Sequence, residues 1–230
     1  MKLAVGDSQS FVAAMRQGAK SLYRDITPYE LYDEKATVAN IDRALDDIAG
    51  QATADDMLLV YLSGHGEQVN NEYYFIPQDF VLPDGDDDAI DKAIAAQGFS
   101  GEDLVAHLGK IGAKNGFLFL DTCHAGAIRL DTGPARINQE SGRYILVASQ
   151  RIQSALDSYD GKNGVFAYAV LEGLKGKARQ NQSRPVDNID LGFYVSDRVA
   201  QLAKQKNYDQ SSSFKISAED ARRFPIAAPP

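Results

Sequence analysis

The chain has 230 residues, of which 44% are hydrophobic and 24% charged, and carries a net charge of −8. That length supports one substantial core, and the acidic balance argues against a nucleic-acid partner, which would need clustered Lys and Arg. A single cysteine, Cys123, excludes an internal disulfide and suits a reducing compartment. The N-terminal residues lack the apolar stretch of a signal peptide, and the longest apolar run, residues 165–171, is far short of a membrane span. A cytoplasmic protein with no membrane or nucleic-acid partner is expected.

Helix spacing is present over residues 8–18, where Phe11, Val12 and Met15 share a face and Gly18 is a stop. Residues 29–32 are a short strand candidate. Residues 36–49 form a helix in which Thr37 serves as cap and Ile41, Leu45 and Ile48 mark one face. Residues 57–62 are a continuous apolar run, as in a fully buried parallel strand. Residues 72–76 read as an edge hairpin arm and residues 83–88 as an acidic turn or loop. Ser100 caps a helix over residues 100–108, with Asp103 at the reciprocal capping position. Residues 117–120 are a second buried strand, 126–142 a long loop and 144–148 a third buried strand. Helices follow over residues 165–174 and 189–202, then a closing strand within 208–216 and an irregular tail. Strands alternating with helices predict an α/β fold, with a mostly parallel central sheet and helices on both faces.

Two of the buried strands end in reactive residues. One runs into Ser63-Gly64-His65-Gly66, the other into Asp121-Thr122-Cys123-His124-Ala125-Gly126. Ligand crevices in open α/β sheets form at the C-terminal ends of the strands. A cysteine and a histidine brought together there have the layout of a thiol nucleophile with its base. Flanking glycines let a substrate approach closely, and backbone N–H groups near the sulfur would form an oxyanion hole. His107 lies inside a helix pattern and reads as structural. His124 adjoins the cysteine with its side chain pointing away, in a supporting position.

These two segments resemble the paired signatures of the caspase-like peptidases, closest to the metacaspase and bacterial orthocaspase branch. The likeness extends through residues 4–7, 36–41, 73–79 and 164–168. It implies a caspase-like sandwich over residues 1–224, with a p20-like part over about 1–126, a loop over about 127–142 and a p10-like part over about 143–224, before a tail at 225–230. It implies hydrolysis of a peptide bond through a thioester, with Cys123 attacking and His65 moving the proton. Gly66 and Cys123 are the candidates for the oxyanion hole. Members of this branch cleave after Arg or Lys, and carboxylates at the pocket floor suit such a side chain. Asp121 and Asp7 match the family's pocket aspartates. Taken by themselves, Asp121 reads as a strand-end carboxylate bonded to a backbone N–H, and Asp7 as the cap of the helix over residues 8–18.

Arg129, Arg136 and Arg143 are candidate self-cleavage sites in the long loop, with Lys162 and Lys175 as weaker ones. No cofactor is required by the sequence. Some metacaspases need calcium, and Asp84, Asp86, Asp87 and Asp88 are its candidate ligands here, the alternative being a solvated acidic loop. In the family a hydrophobic strand precedes the Asp7 motif. The chain begins at Met1, past that strand, so either the sequence starts late or another segment supplies it. The partner implied is a protein or peptide with Arg or Lys at the cleavage site, alongside a regulatory partner or flanking domain. A gated or non-catalytic scaffold that assembles with a partner is the alternative function.

Overall fold

The computed structural model describes residues 3–123, 125, 143–149, 159–215 and 222–228. Helix α1 spans Ala4–Gly18 and α2 Val38–Gln51. Strand β1 spans Met57–Val69 and β2 Glu72–Ile76. Asn70 and Asn71 turn the chain between them with φ of 48° and 68°, values that short amide side chains tolerate. Helix α3, Asp87–Gln97, precedes the two-residue strand β3, Phe99–Ser100, and helix α4, Gly101–Lys110. Strands β4, Asn115–Thr122, and β5, Arg143–Val147, follow. Helix α5, Val165–Glu172, runs into a wider turn at Gly173–Lys177. Strand β6, Val186–Asp187, leads into helix α6, Asn188–Gln205. Strands β7, Ser213–Lys215, and β8, Pro225–Ala227, come last.

The central sheet has six strands in the order β3-β2-β1-β4-β5-β7. Its middle, β1-β4-β5, is parallel, and its margins are antiparallel. Alternation along β4 feeds two cores. Phe117 and Phe119 face α1, α5 and α6, while Leu118 and Leu120 face α2 and α4. All four are 0% exposed. This is the α/β arrangement expected, with helices on both faces.

Several local expectations need correction. Helix α1 begins at Ala4, so Asp7 lies in its first turn and is not its cap. Residues 29–32 form no strand. The acidic stretch is in part a helix start: Asp86 caps α3, accepting from the Ala89 N–H at 3.1 Å, and Asp87 and Asp88 form its first turn. Three carboxylates there suit the positive end of the helix dipole. The hairpin arm β2 is not the sheet margin, because β3 lies outside it. The tail is also ordered: β8 pairs with β6, and Ile226 and Ala227 are buried in the α1–α6 core. Among the described residues, no helix is long and apolar enough to cross a membrane.

The largest departure concerns β1. Its first part, Met57–Gly64, pairs with β4 on one side only. Strand β2 joins the other side at His65 and beyond. Among the described residues no strand pairs with the remaining edge of Met57–Gly64, so none of them supplies the additional strand. The apolar run is accordingly half-buried except at Leu58, where full burial was expected. Backbone N–H groups on such an edge have no ladder partner. Successive amides of a strand point to alternate sides, so hydrogen exchange across residues 58–64 should alternate between protected and fast positions. The amides of β4 should all be slow. Uniform protection across both strands would show that a further segment covers this edge.

Candidate active site

The site is built by a change of partner along β1. The parallel ladder to β4 runs as far as Gly64 opposite Thr122. At His65 the strand leaves β4 and pairs with Ile76 of β2. His65 thus stands just past the last rung, at the mouth of β4, and Cys123 is the first residue beyond the other side of that rung. His65 is exposed, and Cys123, which is in no disulfide, is partly so.

Two glycines make this crossing physically allowed. A Cβ at Gly64 would lie 2.7 Å from the ring of Phe75. A Cβ at Gly66 would lie 2.5 Å from the Cys123 carbonyl oxygen and 2.8 Å from Thr122 Oγ1. Only glycine lets the histidine strand lie this close to the cysteine turn. The turn is anchored from both neighbouring strands. The Tyr73 hydroxyl of β2 and Thr122 Oγ1 share a buried 2.8 Å hydrogen bond. Ser149 Oγ, just past β5, donates to the Thr122 carbonyl at 2.9 Å. Gln210 Nε2 donates to the Ala148 carbonyl at 2.8 Å and Ser212 Oγ to the Val147 carbonyl at 2.6 Å, fixing the end of β5 beside it. Burial holds the Tyr73 phenol above its usual pKa, so it remains a hydroxyl at any ordinary pH.

A second polar cluster lies beneath, on the α1 face of the sheet. Ser63 is in register with Asp121, so Tyr61, Ser63 and Asp121 share that face. The Tyr61 hydroxyl donates to Asp121 Oδ2 at 2.8 Å. Asp7 comes from α1, on the same stripe as Phe11 and Met15, and its carboxylate accepts from Asn163 Nδ2 at 2.8 Å and from the Gly164 N–H at 3.3 Å. Asp7 and Asp121 are each 1% exposed. Tyr61 lies close enough for both carboxylates to act on it. Burial first, then the charges of Asp121 and Asp7, hold its phenol well above the usual pKa. Ser63 Oγ is buried and, among the described residues, has no hydrogen-bond partner. Such an orphan in a native structure calls for an explanation, such as a bound water, an ion or a functional role.

Tyr61, Ser63, Asn163 and Gly164 were not anticipated as parts of this cluster. The alternation of Tyr61 and Ser63 in the run before His65 would have found two of them. Nothing local signals Asn163, which meets Asp7 only through the fold. His107 pairs with Asp42 of α2 at 3.0 Å, a helix–helix contact away from the site, as a structural reading requires. Asp86 is engaged as a cap and Asp88 pairs with Lys92 at 2.6 Å. Among the described residues, no group of three or more His, Cys, Asp or Glu is placed to hold a metal ion. His124, Arg129 and Arg136 lie outside the described residues. Arg143 is not in the loop. It begins β5 opposite Gly116, where its backbone belongs to the ladder.

A family model described as Caspase domain matches residues 12–220, beginning after Asp7. No curated protein matches the chain by sequence. Among solved structures, a structural-genomics target protein from Geobacter sulfurreducens superposes with a TM-score of 0.65 at 15% identity, over 98% of this chain and 89% of that one. Caspase-1 from Spodoptera frugiperda superposes with a TM-score of 0.61 at 14% identity, over 97% of this chain and 81% of that one. At such identities the likeness speaks for the fold alone, and the family match adds the rest: the chain belongs to the caspase domain family, a family of cysteine peptidases that act on proteins and peptides.

Proposed function

We propose that this chain is a cysteine endopeptidase of the metacaspase type that cleaves after Arg or Lys. The observation that carries the reading is the close approach of the His65 strand to the Cys123 turn at Gly66. His65 takes the thiol proton, and the sulfur attacks the carbonyl carbon of the scissile bond. The charge that develops on the carbonyl oxygen is met by backbone N–H groups at Gly66 and Cys123. Collapse of the intermediate breaks the C–N bond, and the proton on His65 goes to the leaving amine. Water activated by His65 then hydrolyses the thioester and restores the thiol.

The buried pair Asp7 and Asp121 supplies the preference. A basic side chain entering beside two carboxylates and the Ser63 hydroxyl, which has no partner among the described residues, finds acceptors in a sheltered, low-dielectric place. An acidic side chain there would meet like charge. Both carboxylates are closed off from solvent, and Asn163 and Gly164 sit on Asp7. The substrate side chain therefore enters by displacing these donors. That closure, with the edge of β1 that no strand among the described residues pairs, favours a gated enzyme as the second reading, activated by a partner or by cleavage at Arg129 or Arg136.

Fluorogenic peptides ending in Arg, Lys or Asp test the reading. Turnover should be confined to Arg and Lys, and Cys123→Ala should lower it by about three orders of magnitude or more. Cleavage after Asp would reject the acidic pocket. Chelating calcium should leave the rate unchanged, because Asp86 and Asp88 are engaged in starting α3. A strict calcium requirement would return these carboxylates to the role of ligands. If no peptide is cleaved until the chain is nicked or a partner is added, the gated reading holds.

A further inference from the structure

Tyr61 is the one cluster member whose polar atom is aimed at a pocket carboxylate from within the sheet. It lies opposite Phe119 in the ladder, and its hydroxyl reaches diagonally to Asp121, two residues further along β4. Its ring is fixed independently of that bond. Phe11 of α1 stacks on it with centroids 4.7 Å apart, and Phe119 lies 6.1 Å away. A phenol held this way does not follow a moving carboxylate, so its bond is one of the constraints on the orientation of Asp121.

We propose that Tyr61 is a specificity-determining positioning residue: its hydroxyl fixes the Asp121 carboxylate in the orientation that receives a basic side chain. This rests on the Arg/Lys reading of the pocket. A lone carboxylate at the end of a strand would rotate about its χ2, which is soft. The bond from Tyr61 to Oδ2 restricts that rotation, whatever else meets the carboxylate. A planar guanidinium, with donors in a rigid fork, gains more from such a fixed acceptor than a flexible ammonium does. The pocket should therefore favour Arg over Lys, and Arg far more over its neutral isostere citrulline. The phenol stays protonated, and so a donor, because burial and the two neighbouring carboxylates oppose its ionisation.

The test is calorimetric binding of two peptides, identical except for Arg or citrulline at the cleavage position, to the full chain carrying Cys123→Ala. No turnover is needed. In that background Tyr61→Phe should lower the Arg-over-citrulline preference by about tenfold or more, the scale of a buried bond to a charged group, and leave citrulline affinity unchanged. Phe11→Leu, which disturbs the packing of the ring and leaves its hydroxyl, should keep most of the preference. An unchanged preference in Tyr61→Phe, with the preference abolished in Asp121→Asn, overturns the role of Tyr61 and leaves the acidic pocket standing. An equal loss in Phe11→Leu and Tyr61→Phe reduces the role to packing and overturns it too. If Asp121→Asn changes nothing, or the parent binds both peptides alike, the basic-pocket reading itself fails and takes this inference with it.

Discussion

The site depends on one pairing, the parallel ladder that holds β1 to β4 up to Gly64 and Thr122. Every residue of interest is placed by its register. Above the last rung come His65 and Cys123. Below it, on one face, lie Tyr61, Ser63 and Asp121. A slip of one residue by β1 would send Tyr61 and Ser63 to the face opposite Asp121 and break the Tyr61–Asp121 bond. The register is held by the two cores. Phe117 and Phe119 pack on the α1 side and Leu118 and Leu120 on the other, so β4 cannot shift by one residue without pressing phenylalanines into the space of leucines and leaving voids on the other face.

The layout of reactive residues at strand ends was legible because two signals coincide there: an apolar run, then a glycine-rich polar turn. Helices α2 and α4 were legible from capping residues and spacing, and Thr37 and Ser100 do accept the expected N–H groups. Helix α3 was not, because Asp86, Asp87 and Asp88 resemble a solvated loop until the residues after them are seen to start a helix. Strand β8 was hidden for a different reason. Three residues carry too little periodicity to register, and their order comes from contacts with α1 and β6. The stripe Asp7, Phe11, Met15 was available in the sequence, yet a carboxylate at the head of a buried face reads more readily as a cap. Its bonds to Asn163 and Gly164 join distant parts of the chain, and no local pattern reports them.

Buried carboxylates are costly, and the manner of compensation tells what they are for. Moving a charge out of water costs several kcal/mol unless it is met by donors or an opposite charge. Among the donors that meet Asp7 and Asp121 are an amide, a backbone N–H and a phenol. Beside them Ser63 Oγ is buried and, among the described residues, has no hydrogen-bond partner. Contrast Glu172, also buried, where Arg198 donates at 2.7 Å and Lys177 closes on the other oxygen. There burial raises the carboxyl pKa, and the two cations outweigh it and bring it below the usual value. That is an ion-pair joint between helices, complete in itself.

The difference between these two burials bears on why the pocket is shut. A joint such as Glu172 gains nothing by opening, since its charges are matched. On the proposed reading, a basic side chain entering the Asp7–Asp121 cluster would replace the Asn163 amide on Asp7 by a cation. The edge of β1 that no strand among the described residues pairs lies beside this cluster, along the residues that carry Tyr61 and Ser63. A strand added there would stiffen the segment on which the pocket is built. On the proposed reading, occupation of the edge and entry of a basic side chain would both act on β1, which is how assembly with a further segment would reach the proposed chemistry at Cys123.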